Sequence, residues 1–187
     1  GLIYAHSGIE GFDPSQYPTF PADGDGIVPI TDFEWFEDDV ANRVISFLAT
    51  AWPAEHLEEN LDFVADSLTR KQGESARDRL RRYLSQQFFK DHLQTYKRRP
   101  IYWLFTSGKQ RAFQALVYLH RYNAGTLSRM RTEYVIPLQG RLDARIDRLA
   151  EEIESATSNS HRRKLEKERE TLQKQQAELL KFDEKLK

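Results

Sequence analysis

The sequence contains no cysteine, and this absence removes several classes of protein from consideration. Disulfide frameworks, cysteine-ligated zinc sites, iron–sulfur clusters and thiol nucleophiles all need cysteine. No apolar run reaches the roughly 18 residues that a membrane-spanning helix needs, and residues 1–18 lack the charged and apolar regions of an export signal. We therefore expect a cytoplasmic protein with no membrane partner.

The chain also lacks the motifs that mark most enzymes. It has no phosphate-binding loop, no GxSxG and no HExxH, and its five histidines lie far apart. The Asn- or Asp-Pro-Pro-aromatic loop that holds an adenine amino group is missing, since the nearest string, DPSQY at residues 13–17, has the wrong third residue and an extra one before its aromatic. The early glycines have no strand–turn–helix setting for a nucleotide-like cofactor. We predict no catalytic residue, no metal ligand and no cofactor site in this chain.

Charge is plentiful but unevenly distributed. The net charge is −1, yet residues 1–69 hold 14 acidic side chains and one basic one, whereas residues 70–131 hold 3 acidic and 15 basic. The last 56 residues are balanced, with 12 of each sign. A focused positive segment attracts phosphate whatever the total charge, which points to nucleic acid as a partner. The alternative, that acidic and basic segments pack on each other, stays open.

Helical patterns dominate the first hundred residues. Residues 25–31 (DGIVPIT) suit a short strand, and Asp32 suits the N-cap of a helix that runs over residues 33–52 and ends at Pro53. A second amphipathic helix is predicted over residues 54–68. Gly73 then breaks the chain, and one continuous helix is predicted over residues 74–96.

A basic and aromatic block interrupts the helical pattern. Two apolar runs, residues 100–105 and 112–120, flank the turn-forming Ser107-Gly108-Lys109-Gln110, which predicts a β-hairpin. The second run also suits a helix, so a helix-turn-helix is the alternative. Trp103 could stack on a base, although aromatics in such a hairpin are more often core, and His120 suits the edge of a core.

The chain from residue 126 onward is predicted to be helical, with a kink or restart at Pro137. Leucines and isoleucines recur at coiled-coil spacing on both sides of a polar break at residues 157–160, which predicts an antiparallel helical hairpin. The predicted fold is mainly α, with an irregular lead-in at 1–31, a helical domain with a β-hairpin at 32–136 and a coiled-coil arm at 137–187. Because the chain starts without Met and ends within the repeat, we expect a longer parent protein.

The candidate site lies in the basic and aromatic block. Cations on a rigid scaffold are what contact with DNA phosphates requires, and a merely solvated face is the alternative. The predicted phosphate-binding residues are Lys97, Arg98, Arg99, Lys109 and Arg111.

A family resemblance becomes visible at this block. Residues 97–108 (KRRPIYWLFTSG), 113–121 (FQALVYLHR), 126–127 and 131–135, with weaker support from residues 23–30 and 35–39, resemble the C-terminal part of the PglX family. PglX proteins are adenine-specific DNA methyltransferases of bacteriophage-exclusion (BREX) defence, and restriction-methylation fusion enzymes are similar here. The resemblance is strongest over residues 97–135.

The resemblance implies a parent that uses S-adenosylmethionine to methylate adenine N6 in DNA, with its catalytic motifs upstream of this region. None of those motifs matches a position here, so this fragment is expected to engage double-stranded DNA without catalysing the transfer. Other phage-defence proteins are possible partners. The alternative function is a structural module whose arm, residues 138–187, mediates oligomerisation or partner docking.

Overall fold

A computed structural model of the protein describes residue 20, residues 24–97 and residues 99–187. The chain divides into two compact units: one runs to Leu104 and adds Ala115–Tyr122, and the other comprises Phe105–Gln114 and Asn123–Lys187. The predicted fold class, mainly α with a small β-hairpin and a C-terminal helical hairpin, is confirmed. The predicted domain boundaries, which rested on composition and periodicity, stay a prediction.

Most residues of a small antiparallel sheet belong to the first unit. Strand β1 (Ile27–Pro29), strand β2 (Tyr102–Thr106) and strand β3 (Gln114–Tyr118) are arranged in the order β1-β3-β2. β1 pairs antiparallel with β3, with Val28 opposite Leu116. The short strand predicted near residue 27 and the predicted hairpin are therefore both present, and the helix-turn-helix alternative is not.

Four helices pack with this sheet in the first unit. They are α1 (Val40–Ala51), α2 (Leu57–Asp66), α3 (Ala76–Gln86) and α4 (Phe88–Tyr96), with a single 3₁₀ turn at Ala54–His56 before α2. Apolar side chains from β1, β2 and β3 meet those of the helices in one core, whose buried members are Val28, Ile30, Val40, Ala41, Leu48, Leu61, Leu80, Leu84, Tyr102, Leu116 and Tyr118.

The predicted start of the first helix is wrong. α1 begins at Val40, and its N-cap is Asp39, whose carboxylate accepts the Asn42 N–H at 2.9 Å. Asp32, the predicted cap, instead accepts a hydrogen bond from the Ser85 hydroxyl at 2.9 Å. Both aspartates satisfy the residue preference of an N-cap, so the sequence pattern alone does not distinguish them.

The predicted single helix over residues 74–96 is also wrong. It is broken at Gln87, where φ is −121° and ψ is −36°, and α4 begins anew with Gln87 as its N-cap residue. The apolar residues keep their step of four through the break, which is why periodicity indicated a continuous helix. The start of α3 is well defined, because Ser75 and Asp78 form a reciprocal capping box.

The second unit is built around a long helical hairpin. A short helix α5 (Thr126–Arg129) leads into a π-helical segment, Met130–Val135, and then into α6 (Ile136–Ser155), which has Pro137 in its first turn. The backbone of Val135 and Ile136 is helical, with φ of −68° and −63°, so the predicted kink or restart at Pro137 stays a prediction. Residues 156–158 form the turn to α7 (Asn159–Leu186).

α6 and α7 run antiparallel and bury their apolar stripes. Arg145 of α6 donates to Glu168 of α7 at 2.8 Å. Arg131, which precedes Arg145 in the chain, contacts Asp183, which follows Glu168, so the two partners advance in opposite directions. The buried residues of the two helices are Leu138, Leu142, Ile146, Leu149, Leu165, Leu172, Leu179 and Phe182. None of the helices in the described part of the chain is both long and apolar enough to cross a membrane.

Candidate nucleic-acid interface

The arginines of α3 form ion pairs within the first unit. Arg79 and Arg82 pair with Asp66 and Glu74 at 3.3 and 2.6 Å, Arg81 pairs with the fully buried Asp39, and Arg77 pairs with Glu58. Three of these contacts, those of Arg77, Arg79 and Arg81, join the basic segment to the acidic one, as the alternative interpretation of the charge pattern expects. The arginines of α3 are therefore poor candidates for contact with an external phosphate.

Two of the predicted phosphate-binding residues lie at the end of α4. Lys97 has a positive φ of 49°, unusual for a residue with a side chain, and its N–H donates to the Leu93 carbonyl at 2.7 Å. The Arg99 N–H donates to the Tyr96 carbonyl at 2.9 Å. Both side chains are exposed, and neither makes an ion pair with another residue that the structure describes. Arg98 lies outside the described residues.

His92 fixes the backbone that carries these cations. Its Nε2 accepts the Ile101 N–H at 3.0 Å, and its ring lies against those of Tyr96 and Tyr102, with centroids 4.8 and 5.3 Å away. Burial lowers the pKa of His92 below the ordinary value, which favours the neutral imidazole that this acceptor role needs. The junction between α4 and β2 is thus held by a side chain that the sequence did not single out.

The aromatics of β2 alternate between core and surface. Tyr102 is buried and belongs to the core of the first unit, as predicted for most of these rings. Trp103 is 47% exposed and contacts the 40% exposed Tyr122 edge to face, with ring centroids 5.7 Å apart. His120 is exposed, in a 3₁₀ turn after β3, and its ring lies 5.3 Å from that of Tyr118.

The remaining two predicted residues lie in the second unit, in the turn of the β-hairpin. Lys109 is exposed and makes no ion pair with another residue in the described ranges. Arg111 is partly buried and has a positive φ of 51°. The structure therefore brings Lys97 and Arg99 together in one unit, and Lys109 and Arg111 together in the other.

A single carboxylate organises this turn. Glu178 of α7 accepts the Ser107 hydroxyl at 2.7 Å, the Gln110 N–H at 2.7 Å and the Ala112 N–H at 3.2 Å. Burial would raise the pKa of Glu178, but hydrogen bonds from Ser107 and from the turn backbone outweigh it and hold the pKa below its ordinary value. We call residues 107–112 the turn loop.

Two further contacts fix the turn loop from the same unit. The Gln175 amide of α7 donates to the Gln110 carbonyl at 3.1 Å, and the Ser107 hydroxyl accepts the Phe113 N–H at 2.9 Å. Gly108 has a φ of 151°, and a Cβ there would lie 2.6 Å from a carboxylate oxygen of Glu178. The contacts of Glu178 and Gln175 could not be predicted from the sequence, because their partners are 65 to 71 residues away in the chain.

Over its whole length the chain is similar to adenine-specific methyltransferases. It is 55% identical over 195 aligned residues to adenine-specific methyltransferase BrxX of Escherichia coli O9:H4 (strain HS), and spans 16% of that protein. It is 42% identical over 189 residues to adenine-specific methyltransferase PglX of Lacticaseibacillus casei (strain Zhang), and spans 15% of it. The predicted resemblance to a C-terminal part of PglX is thereby confirmed. No family model matches the chain.

Proposed function

We propose that this chain is a non-catalytic, DNA-engaging C-terminal part of an S-adenosylmethionine-dependent DNA adenine-N6 methyltransferase of bacterial phage defence. The methyltransferase assignment is supported by similarity along the whole chain to two proteins of that name. DNA engagement is supported by the exposure and the ion pairing of the cations. Lys97, Arg99 and Lys109 are exposed without an ion pair to another described residue, whereas the arginines of α3 are paired internally.

The proposed role of these cations is contact with the DNA backbone. Lys97, Arg98, Arg99, Lys109 and Arg111 bind phosphates, release counterions and position the duplex, which is a sequence-independent task. The parent protein acts on double-stranded DNA in the cytoplasm, and other phage-defence proteins are its partners.

S-adenosylmethionine is held elsewhere in the parent protein. Its usual site is a glycine-rich turn that follows a strand and leads into a helix of a βαβ unit. In the described residues β1 and β3 are antiparallel, and Gly24 and Gly26 precede β1 instead of following it. These residues do not fit the cofactor, so calorimetric titration of this chain with S-adenosylmethionine should release no heat.

Duplex binding as a function of salt tests the proposal. A fluorescently labelled duplex should bind the chain near 50 mM salt, as expected for phosphate contacts, and binding should weaken steeply as salt rises. Changing all five cations to Gln should abolish most of this binding and flatten its salt dependence. Absence of duplex binding at low salt, or equal binding by the five-fold variant, would show that the chain does not engage DNA through these residues.

The second candidate function is assembly through the helical arm, residues 138–187. It rests on the leucine spacing of the arm, and Leu180 of α7, which is 52% exposed, is a side chain that a partner could cover. Sedimentation over a hundredfold range of concentration should then show an oligomer that Leu180→Glu disrupts. A monomer at every concentration would remove this candidate and leave the DNA proposal untouched.

A further inference from the structure

The turn loop contains one backbone conformation that the residue in it disfavours. Arg111 has a φ of 51°, in the left-handed region that residues with a Cβ rarely adopt, whereas the φ of 151° at Gly108 is one that glycine adopts readily. A state such as that of Arg111 persists where surrounding groups hold it in place. Here the holding groups come from another element, α7, and the Glu178 carboxylate accepts most of the hydrogen bonds.

The donors of the turn loop converge on Glu178. A hydroxyl and two backbone N–H groups point at its two oxygens, from Ser107, Gln110 and Ala112, at 2.7 to 3.2 Å. Hydrogen bonds to a carboxylate are among the stronger ones in proteins, and removing the acceptor leaves partly buried donors unsatisfied. The loop is therefore fixed at three points, and Lys109 and Arg111 lie between the outermost of them.

We infer that Glu178 is a positioning residue that holds the turn loop in the arrangement in which Lys109 and Arg111 contact DNA phosphates. This inference rests on the proposed function, because it takes these two cations as phosphate contacts. Glu178 does not touch the DNA. Because Glu178 holds the loop before DNA binds, the loop loses less conformational entropy on binding than an unrestrained loop would.

The sign of the effect distinguishes positioning from charge. A carboxylate near a phosphate-binding surface repels DNA, so its neutralisation should strengthen binding if charge alone mattered. Positioning predicts the opposite result. Glu178→Gln keeps the size of the side chain but turns an amide donor toward donors of the loop, so it should free the loop and weaken duplex binding about tenfold.

The test is a double-mutant cycle on this chain, with the affinity for one labelled duplex as the readout. The variants are Glu178→Gln, the pair Lys109→Gln with Arg111→Gln, and all three changes together. If Glu178 acts through the loop cations, the triple variant binds no more weakly than the pair. Glu170→Gln is the matched control. This exposed carboxylate of the same helix pairs, among the residues that the structure describes, only with Lys174, so the change should leave affinity unchanged or slightly higher.

Each outcome has one meaning. Additive losses, or binding by Glu178→Gln as strong as that of the unmodified chain, overturn the inference while the proposed function stands. Unchanged binding by the Lys109 and Arg111 pair overturns the proposed role of the loop and the inference with it. Hydrogen exchange of the unmodified chain gives a measurement that needs no variant: the amides of Gln110 and Ala112 should be protected, and rapid exchange at both contradicts the inference.

Discussion

Asp39 shows how strongly one residue ties the elements of the first unit together. Its side chain is fully buried, accepts the Asn42 N–H at the start of α1, and forms an ion pair with Arg81 of α3. A buried carboxylate is tolerated only when it is paired and hydrogen-bonded. Asp39 therefore sets both where α1 begins and how α1 and α3 are joined.

Replacing Asp39 should destabilise the chain strongly. Asp39→Ala removes the N-cap and leaves Arg81, mostly buried, without its partner, so the free energy of unfolding should fall by about 3 kcal/mol or more. Asp32→Ala is the matched control: it removes an exposed hydrogen bond to Ser85 and should change stability by about 0.5 kcal/mol. Urea denaturation measures both, and equal effects would contradict the assignment of Asp39 as the cap.

His92 makes the stability of the first unit depend on pH. Burial lowers its pKa in the folded state below the ordinary value of 6.5. As pH falls below 6.5, the unfolded chain takes up a proton before the folded one does, so folding stability decreases from there down to the folded pKa. Protonation would also remove the acceptor for the Ile101 N–H.

The expected result is a lower urea midpoint at about pH 5.5 than at about pH 7.5. His92→Gln keeps an acceptor for Ile101 but does not titrate, so it should lose this part of the pH dependence. His161→Gln, at an exposed position of α7, should retain it. If all three chains respond equally to pH, other groups are responsible.

At the scale of elements, two glycines of the second unit should respond to alanine with opposite signs. A Cβ at Gly140, inside α6, meets nothing within 4 Å, so Gly140→Ala should stabilise the chain by about 0.5–1 kcal/mol. Gly108→Ala would press on Glu178 and strain a φ of 151°, so it should destabilise by about 1 kcal/mol or more. Thermal denaturation compares the two, and destabilisation by Gly140→Ala would contradict the helical geometry.

The elements that repeat a pattern could be predicted from the sequence. The β-hairpin follows from the alternation of apolar residues, and the antiparallel arm follows from the leucine spacing. The start of α1 and the break at Gln87 could not be predicted. Two aspartates compete for one cap, and the apolar step of four continues through the break, so tertiary contacts decide both.

For the candidate site, the sequence indicated the cations but not the side chains that hold the backbone around them. Lys97, Arg99 and Lys109 stand out as basic residues beside turn formers, and the structure leaves them exposed. His92 and Glu178 did not stand out, because a lone histidine or glutamate on a helix gives no periodic signal. Their roles depend on groups that only folding brings close. Along the chain these groups are 9 residues from His92 and about 70 residues from Glu178.

At the scale of the whole molecule, some basic side chains pair with carboxylates and others stay exposed. Within the first unit, acidic and basic segments pair, as Arg81 with Asp39 and Arg77 with Glu58 illustrate. Three cations of the block that resembles PglX, Lys97, Arg99 and Lys109, are exposed without an ion pair to another described residue. We therefore predict that the effect of a cation on DNA binding depends on whether it is exposed or paired with a carboxylate. Its contribution to the net charge should not decide the effect.

The most direct measurement compares two triple variants of equal charge. One changes Lys97, Arg99 and Lys109 to Gln. The other changes Arg70, Arg77 and Arg129, which lie in the same basic segment and pair with Asp66, Glu58 and Glu133. Duplex titrations over a range of salt measure the slope of log affinity against log salt, which is negative. The first variant should make this slope less steep by about 3, at roughly one unit per phosphate contact. The second variant should leave it unchanged. Equal changes in slope would contradict the account.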